Sequence, residues 1–371
     1  HFLTHSLNTD GSWKDLTKQK NSSADISCTA GQMPRLLGLA QASKVYRNQK
    51  GLDGAKFSVN GDEIAWGTIG NASTSEGMFF ETINAAGVLQ VPMVISIWDD
   101  EYGISVPAKY HTTKEDISKV LSGFQRTESE KGFEIFKVNG WDYTALMHAY
   151  ENAADIARQE HVPVMIHVKE LTQPQGHSTS GSHERYKDNK RLEWERDFDC
   201  NKRFKEWILE SGIASGEELE TIEKKIKRSV REAKKQAWEE YLQGLLSAKK
   251  TLVGLIEQAS SKSPNKNFLN KLKNDLIATE EPIKKDLAIS ARKSLRFLLG
   301  ESSPEKSALI EWTSKFLQEA QDIYSKHLYS ENENKATNIN AVAPIFKDDS
   351  EQVDGRVILR DNFDKLFEKY H

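Results

Sequence analysis

The stretch that decides the fold runs from residue 63 to residue 104: EIAWGTIGNASTSEGMFFETINAAGVLQVPMVISIWDDEYGI. Glu63 to Ile69 reads as a short buried strand, and a turn of small residues follows it. Ser75 to Leu89 is a helix pattern with Phe79, Ile83 and Ala86 on one side. Pro92 to Trp98 is a continuous apolar run of strand length, the pattern of a parallel strand covered on both faces. Working outward, Gln32 to Arg47 sets Leu36, Leu39, Ala40 and Ser43 at helical spacing. Glu134 to Val138 reads as a strand, Tyr143 to Gln159 as a helix and Pro163 to Val168 as a strand. Such alternation implies right-handed crossovers, hence an α/β fold whose parallel sheet carries helices on both faces. Ligands in such sheets bind beyond the carboxyl ends of the strands. That rule points to the loops after Ile69, Trp98 and Val168.

Composition bounds the rest. The chain has 371 residues, with 51 Lys+Arg against 55 Asp+Glu and a formal net charge of -4. This length allows two or three domains. The near balance of charge argues against a nucleic-acid binder working through a basic surface. No apolar run reaches the ~18–20 residues of a membrane helix, so no membrane span is expected. Two cysteines, Cys28 and Cys200, cannot build a disulfide framework and fit a reducing compartment. With no secretory signal at its start, the expectation is a soluble cytoplasmic protein. The composition shifts near residue 190, from Gly and β-branched runs to Lys, Glu, Leu, Ala and Gln. Residues 1–187 read as an α/β domain, 188–330 as a helical region and 331–354 as a polar linker. Residues 355–371 read as the opening of a further strand–helix unit. Within the helical region, Leu219, Ile222, Ile226, Val230, Ala233, Ala237, Tyr241 and Leu245 recur at threes and fours among Lys/Glu neighbours that read as a solvated face. Pro264, Pro282 and Pro304 mark turns.

Two loops can carry chemistry. After the first strand, Gly70-Asn71-Ala72-Ser73-Thr74-Ser75-Glu76-Gly77 offers small residues, hydroxyls and a helix start, where backbone N–H groups could hold a phosphate. It is neither a Walker loop nor a Gly-x-Gly-x-x-Gly fingerprint, and such a loop can also be only a turn. After the second, Asp99, Asp100 and Glu101 crowd three acids at one strand end, a repulsion that a cation or solvent must relieve. Oxygen donors beside a phosphate site suit Mg²⁺. Asn71 and Asp100 lie one strand–helix–strand unit apart, which puts both at the same sheet edge. A chance acidic loop is the alternative.

The run from Gly70 to Ser105 resembles the thiamine diphosphate motif of 2-oxo acid dehydrogenase decarboxylase components, alpha-type region. That motif begins Gly-Asp-Gly and ends about 30 residues later in Asn-Asn-x-Tyr. The resemblance implies that Asn71, Asp100 and the Tyr102 backbone carbonyl bind Mg²⁺, with Gly70, Ala72 and Ser73 near the diphosphate. Ser27-Cys28-Thr29-Ala30-Gly31-Gln32 resembles the segment lining the cofactor, which makes Ser27 and Thr29 contact candidates. Gln175-Gly176-His177-Ser178-Thr179-Ser180 resembles the family's His-Ser loop. It implies that His177 contacts the cofactor and acts in catalysis, with His183 a weaker candidate, since an imidazole there can move protons near neutral pH. His148 and His161, on or beside a helix, read as structural. Residues 196–238 resemble the carboxyl-terminal helices of the alpha part, so the likeness covers at least residues 21–240.

Two departures stand out. The family's metal-binding Asp is Asn71 here and its Asn is Asp100, an exchange that keeps one carboxylate and one amide oxygen. Its second Gly is Ala72, tolerated wherever φ is negative. The start at His1 and the resemblance of residues 354–371 to the opening of a beta-type part suggest a piece of a fused alpha–beta chain, inactive alone. The implied activity is thiamine diphosphate-dependent oxidative decarboxylation of a pyruvate or branched-chain type 2-oxo acid. The acyl group would pass to a lipoyl group on a partner transacylase. A beta-type domain and a homo-oligomer are the other expected partners. A transketolase-type thiamine enzyme, or a helical assembly module with a vestigial cofactor site, are the alternatives.

Overall fold

The computed structural model describes residues 4–23, 28–52, 54–178, 182–325, 333, 335–341 and 343–369. The chain divides into two compact units, His1–Ala214 with Val342–His371, and Ser215–Ala341.

The first unit is built on a parallel sheet of β1 (Ala65–Gly70), β2 (Met93–Trp98), β5 (Glu134–Asn139) and β6 (Val164–Lys169), in the order β1-β2-β6-β5. The alternation read from the sequence is borne out, with strand ends shifted by one or two residues. A two-residue pair, β3 (Tyr102–Gly103) and β4 (Val106–Pro107), forms a small antiparallel ribbon after β2. Side chains of β2 alternate between two layers. Met93, Ile95 and Ile97 join α1 (Met33–Asn48) and α2 (Gly77–Leu89), while Val94 joins the layer of α4 (Tyr143–Glu160). Both faces are therefore covered, which explains the continuous apolar run.

Phe79, Ile83 and Ala86 are fully buried on α2, as their spacing predicts. On α1 the buried stripe is Met33, Leu36, Ala40 and Ser43, and Leu39 is exposed. Three residues beyond Leu36 the helix has already rotated past the sheet, so the stripe starts one turn earlier than the sequence reading put it. The one-turn helix α3 (Ile117–Val120) follows, capped by Asp116, which accepts from the Lys119 backbone N–H. Helices α5 (Asn189–Asp197) and α6 (Cys200–Glu210) belong to this unit. An aromatic cluster holds them to α4: Trp141 on Phe198 at 5.2 Å, and Tyr143 on Phe204 at 4.6 Å and on Trp207 at 4.7 Å.

The second unit contains α7 (Gly216–Lys262), α8 (Lys266–Ala278), α9 (Lys284–Phe297) and α10 (Pro304–Ser325). Ser215 and Glu218 form a capping box that starts α7. Pro264 and Pro282 lie between helices and Pro304 opens α10, where its missing N–H costs nothing. Leu252, Ile256, Leu269, Leu276, Leu287 and Leu309 make the core. The first half of α7 packs nothing from its stripe: Ile222, Ile226 and Val230 are exposed. Residues 355–369 are helical (α11, Gly355–Lys369) and no strand precedes the helix among the described residues. The β-branched run there sits in a helix supported by Phe363 stacking on Phe367 one turn on, where the sequence reading had a strand.

Candidate functional site

The register Gly70↔Trp98 and Trp98↔Val168 brings the carboxyl ends of β1, β2 and β6 level. The Asn71 N–H donates to the Trp98 carbonyl at 3.1 Å, and the Asp99 N–H to the Val168 carbonyl at 2.9 Å. The Asn71 turn and the Asp99–Tyr102 turn therefore leave the sheet side by side. They also touch: a Cβ at Gly103 would lie 2.6 Å from the Ala72 methyl, so residue 103 must be glycine while residue 72 is alanine. Ala72 opens a 3₁₀ turn, Ala72–Ser75, held by the Thr74 hydroxyl donating to the Asn71 carbonyl at 2.6 Å.

Asn71 is buried, and its Nδ2 has no hydrogen-bond partner. A buried amide donor left unpaired calls for an acceptor that the chain does not supply. Next to it, Thr29, Gln32, Thr68, Gly70, Ser73 and Trp98 line a depression of about 320 Å³. Thr29, Gly70 and Ser73 therefore meet in one place. Ser27 lies outside the described residues, as do Thr179 and Ser180.

The three adjacent acids have different fates. Asp99 is buried, its Oδ2 2.8 Å from His167 Nε2 and its Oδ1 accepting from the Glu101 N–H at 2.8 Å. Glu101 pairs with Arg191. Arg191 thus relieves one of the three charges and His167 hydrogen-bonds a second, where the sequence alone called for a bound cation or solvent. Asp100 makes no ion pair among the described residues. Its Oδ1 accepts from the Tyr102 N–H at 3.1 Å, and burial pushes its carboxyl above the usual range against the opposing pull of that bond, Lys187 and Arg191. The three groups that the resemblance assigns to a cation, the Asn71 amide, the Asp100 carboxylate and the Tyr102 carbonyl, all offer oxygen. That set is hard and suits Mg²⁺, and it contains only one acidic side chain. Among the described residues no group of three or more His, Cys, Asp and Glu is placed to hold a metal, so any metal site must draw on amide and carbonyl oxygens.

His177 is exposed on its loop. Its backbone N–H meets the Tyr186 hydroxyl, whose proton burial holds more tightly than usual. Gly176 takes φ +71°, and a Cβ there would lie 2.3 Å from that hydroxyl, so glycine is required. His183 Nδ1 is buried without a partner. His161 donates through Nε2 to the Gly61 carbonyl at 3.0 Å and is structural, as read from its place at a helix end; His148 is exposed.

Sequence reading missed the residues that hold the Asp100 turn from α5. Arg191 donates through Nη2 to the Asp100 carbonyl at 2.9 Å and through Nε to Glu195 at 2.9 Å. Lys187, fully enclosed, pairs with Glu195 at 2.8 Å and lies 5.4 Å from the Tyr102 ring centre. His111 was missed as well. Its Nε2 is buried and unpaired, its ring stands 3.5 Å from where a Gly103 Cβ would be, and its carbonyl accepts from Ser75 Oγ. In sequence these are ordinary Lys, Arg and His residues of a polar loop, and only the fold shows them enclosed.

The family described as Dehydrogenase E1 component matches residues 8–244. The chain is 26% identical over 172 residues to the pyruvate dehydrogenase E1 component subunit alpha of Rickettsia bellii, covering 46% of this chain and 50% of that protein. It is 28% identical over 193 residues to the protein of the same name from Acholeplasma laidlawii (51% and 49% covered). It is 26% identical over 207 residues to the 2-oxoisovalerate dehydrogenase subunit alpha of Bacillus subtilis (56% and 56%). The chain thus spans about half the length of the curated relatives it matches. The match covers the sheet, the Asn71 and Asp100 turns and the His177 loop, and the chain belongs to the dehydrogenase E1 component family, on its alpha-type side.

Proposed function

We propose that the protein takes part in oxidative decarboxylation of a 2-oxo acid of pyruvate or branched-chain type, with thiamine diphosphate and Mg²⁺ held at the Asn71–Asp100 edge. The observation that carries this reading is the pairing of a buried Asn71 amide whose Nδ2 has no hydrogen-bond partner with a half-buried Asp100 carboxylate that makes no ion pair among the described residues, beside an open depression. Asn71 suits a dual role: its Oδ1 can face the cation while the unpaired Nδ2 donates to an anionic oxygen. Asp100 supplies the one negative charge and the Tyr102 carbonyl a neutral oxygen. Gly70 and Ser73 leave room for a diphosphate, since a Cβ at Gly70 would meet only Ser73 Oγ at 3.9 Å. Ala72 has its methyl turned to Gly103 and so does not oppose that approach. Thr29, on the opposite wall of the depression, is a further contact. When bound, the cofactor supplies the electron sink for loss of carbon dioxide. The chain's own work is to bind, orient and hold protons.

The second half of the reaction, acyl transfer to a lipoyl group on a partner transacylase, falls to His177. It stands exposed on a loop anchored by Tyr186, within reach of an incoming arm, and acts there as a proton donor or orienting group. A beta-type domain, in the same chain or another, completes the site. His177→Ala tests this directly. Its stability should be unchanged within about 0.5 kcal/mol, as for an exposed position. Decarboxylation read with an artificial electron acceptor should persist, while flux through the assembled complex falls by about 10²–10⁴. Equal loss in both assays would move His177 to cofactor binding, and loss in neither would remove it from the mechanism.

A further inference from the structure

Behind the Asp99–Tyr102 turn lies a chain of buried polar groups that the proposed chemistry does not use. His167, in the middle of β6, is fully buried. Its Nε2 is 2.8 Å from Asp99 Oδ2 and its Nδ1 is 2.9 Å from Ser118 Oγ. Ser118, at the start of α3, donates its hydroxyl to Asp116 Oδ1 at 2.7 Å. Asp116 Oδ2 receives Lys169 Nζ at 2.9 Å, and Lys169 reaches partial exposure at the end of β6. The contact between Nε2 and Asp99 needs a proton between the two atoms, and a ring N–H donating to the carboxylate supplies it whichever role Nδ1 takes toward the Ser118 hydroxyl. Burial would raise the Asp116 carboxyl, but hydrogen bonds from Lys169, Ser118 and the Lys119 backbone outweigh it and hold Asp116 well below the usual carboxylate range.

We propose that His167 is a positioning residue that clamps Asp99 from behind through its Nε2 and so sets the turn presenting Asp100 and the Tyr102 carbonyl to the cation. Asp99 Oδ1 holds the Glu101 N–H, and Glu101 adopts φ +69°, the bend that reverses the chain toward Tyr102. Arg191 grips the same turn from the other side through the Asp100 carbonyl. Groups one shell behind metal ligands orient them, and losing one costs about 10–100-fold in metal affinity or activity. The inference rests on the reading of Asp100 and Tyr102 as cation ligands, but the state of the imidazole can be measured without any cation.

In the full-length protein labelled with ¹⁵N-histidine, one exchange-protected ring Nε2–H should appear, and His167→Gln should remove that signal. A His167 ring whose Nε2 carries no proton would overturn the proposal. Mg²⁺ titrated at saturating thiamine diphosphate, followed by tryptophan fluorescence, should show about 10–100-fold weaker Mg²⁺ binding in His167→Gln. At saturating Mg²⁺ the kcat should return close to the parent value. A variant that melts lower yet binds Mg²⁺ as the parent does would reduce His167 to a structural role and overturn the proposal. Should His167→Gln fail to fold, Asp99→Asn combined with His167→Gln restores an amide–amide link and should bind Mg²⁺ more tightly than Asp99→Asn alone. No gain over that single variant would contradict the clamp. If the parent protein itself shows no Mg²⁺-dependent cofactor binding, the proposed function fails, and the Nε2 proton still decides on the clamp.

Discussion

Two regions of this molecule are equally dense in charge and use it in opposite ways. Around the Asp100 turn, Asp99, Asp116, Lys187 and Glu195 are all buried; Asp116 pairs with Lys169 at 2.9 Å, Lys187 with Glu195 at 2.8 Å, and Asp99 is hydrogen-bonded to His167 at 2.8 Å. Along the first half of α7, Arg228–Glu232, Lys224–Glu220 and Lys235–Glu239 are pairs four residues apart on open helix surface. In water a pair of that kind contributes about 0.3–0.5 kcal/mol. An enclosed pair can be close to neutral in net stability, yet breaking it by removing one partner costs about 3–5 kcal/mol, because a naked charge stays behind. The buried network is thus not there to strengthen the fold. It fixes where a backbone turn sits.

The contrast can be broken in order of size. Lys187→Ala should give the largest stability loss, about 3 kcal/mol by thermal or denaturant unfolding of the first unit, the low end of the range because Arg191 still faces Glu195. A loss below about 1 kcal/mol would mean that water replaces the ammonium and that the site is wetter than its burial indicates. Asp116 gives a smaller, pH-dependent effect. Its carboxyl is held below the ordinary aspartate value of 3.8, so it stabilises the native state above that pH. That contribution disappears as pH falls below about 4, because the unfolded chain takes up the proton first. Asp116→Asn should therefore lower stability at neutral pH and flatten the acid limb of a melting-temperature profile. An unchanged acid limb would show that other carboxylates control it. Least of all, Arg228→Ala on α7 should shift stability by no more than about 0.5 kcal/mol, and less in high salt. A larger loss would show that this half of the helix is not the free surface seen here.

The same contrast explains what the sequence could and could not disclose. Periodicity placed all four long strands and the helices α1, α2 and α4, because each buries a face whose spacing is local. The Asn71 and Asp100 turns were legible because strand ends in a parallel sheet fall at one edge. Leu39 misled because helical spacing does not say where the neighbouring sheet ends. The partners of the acids were invisible for another reason. Asp99 meets a histidine 68 positions away, and Arg191 meets the Asp100 carbonyl 91 positions away. One signal was available: a histidine inside the apolar run Val164–Lys169, where burial without a partner would be costly. Residues 355–369 failed for a third reason, since a β-branched run flanked by charge fits a strand or a helix and only the backbone decides.

Asp100 gives the most direct test of the account. Its carboxyl is half-buried, and desolvation pushes it above the ordinary aspartate range, so in the free protein its charge works against folding as pH rises through that range. Such a cost is expected where the charge is kept for a ligand. Asp100→Asn should therefore raise the melting temperature of the metal-free protein at neutral pH and abolish Mg²⁺-dependent binding of thiamine diphosphate, measured by calorimetric titration of the full-length protein. A variant that binds Mg²⁺ and thiamine diphosphate as tightly as the parent would contradict the assignment of this sheet edge as the cation site.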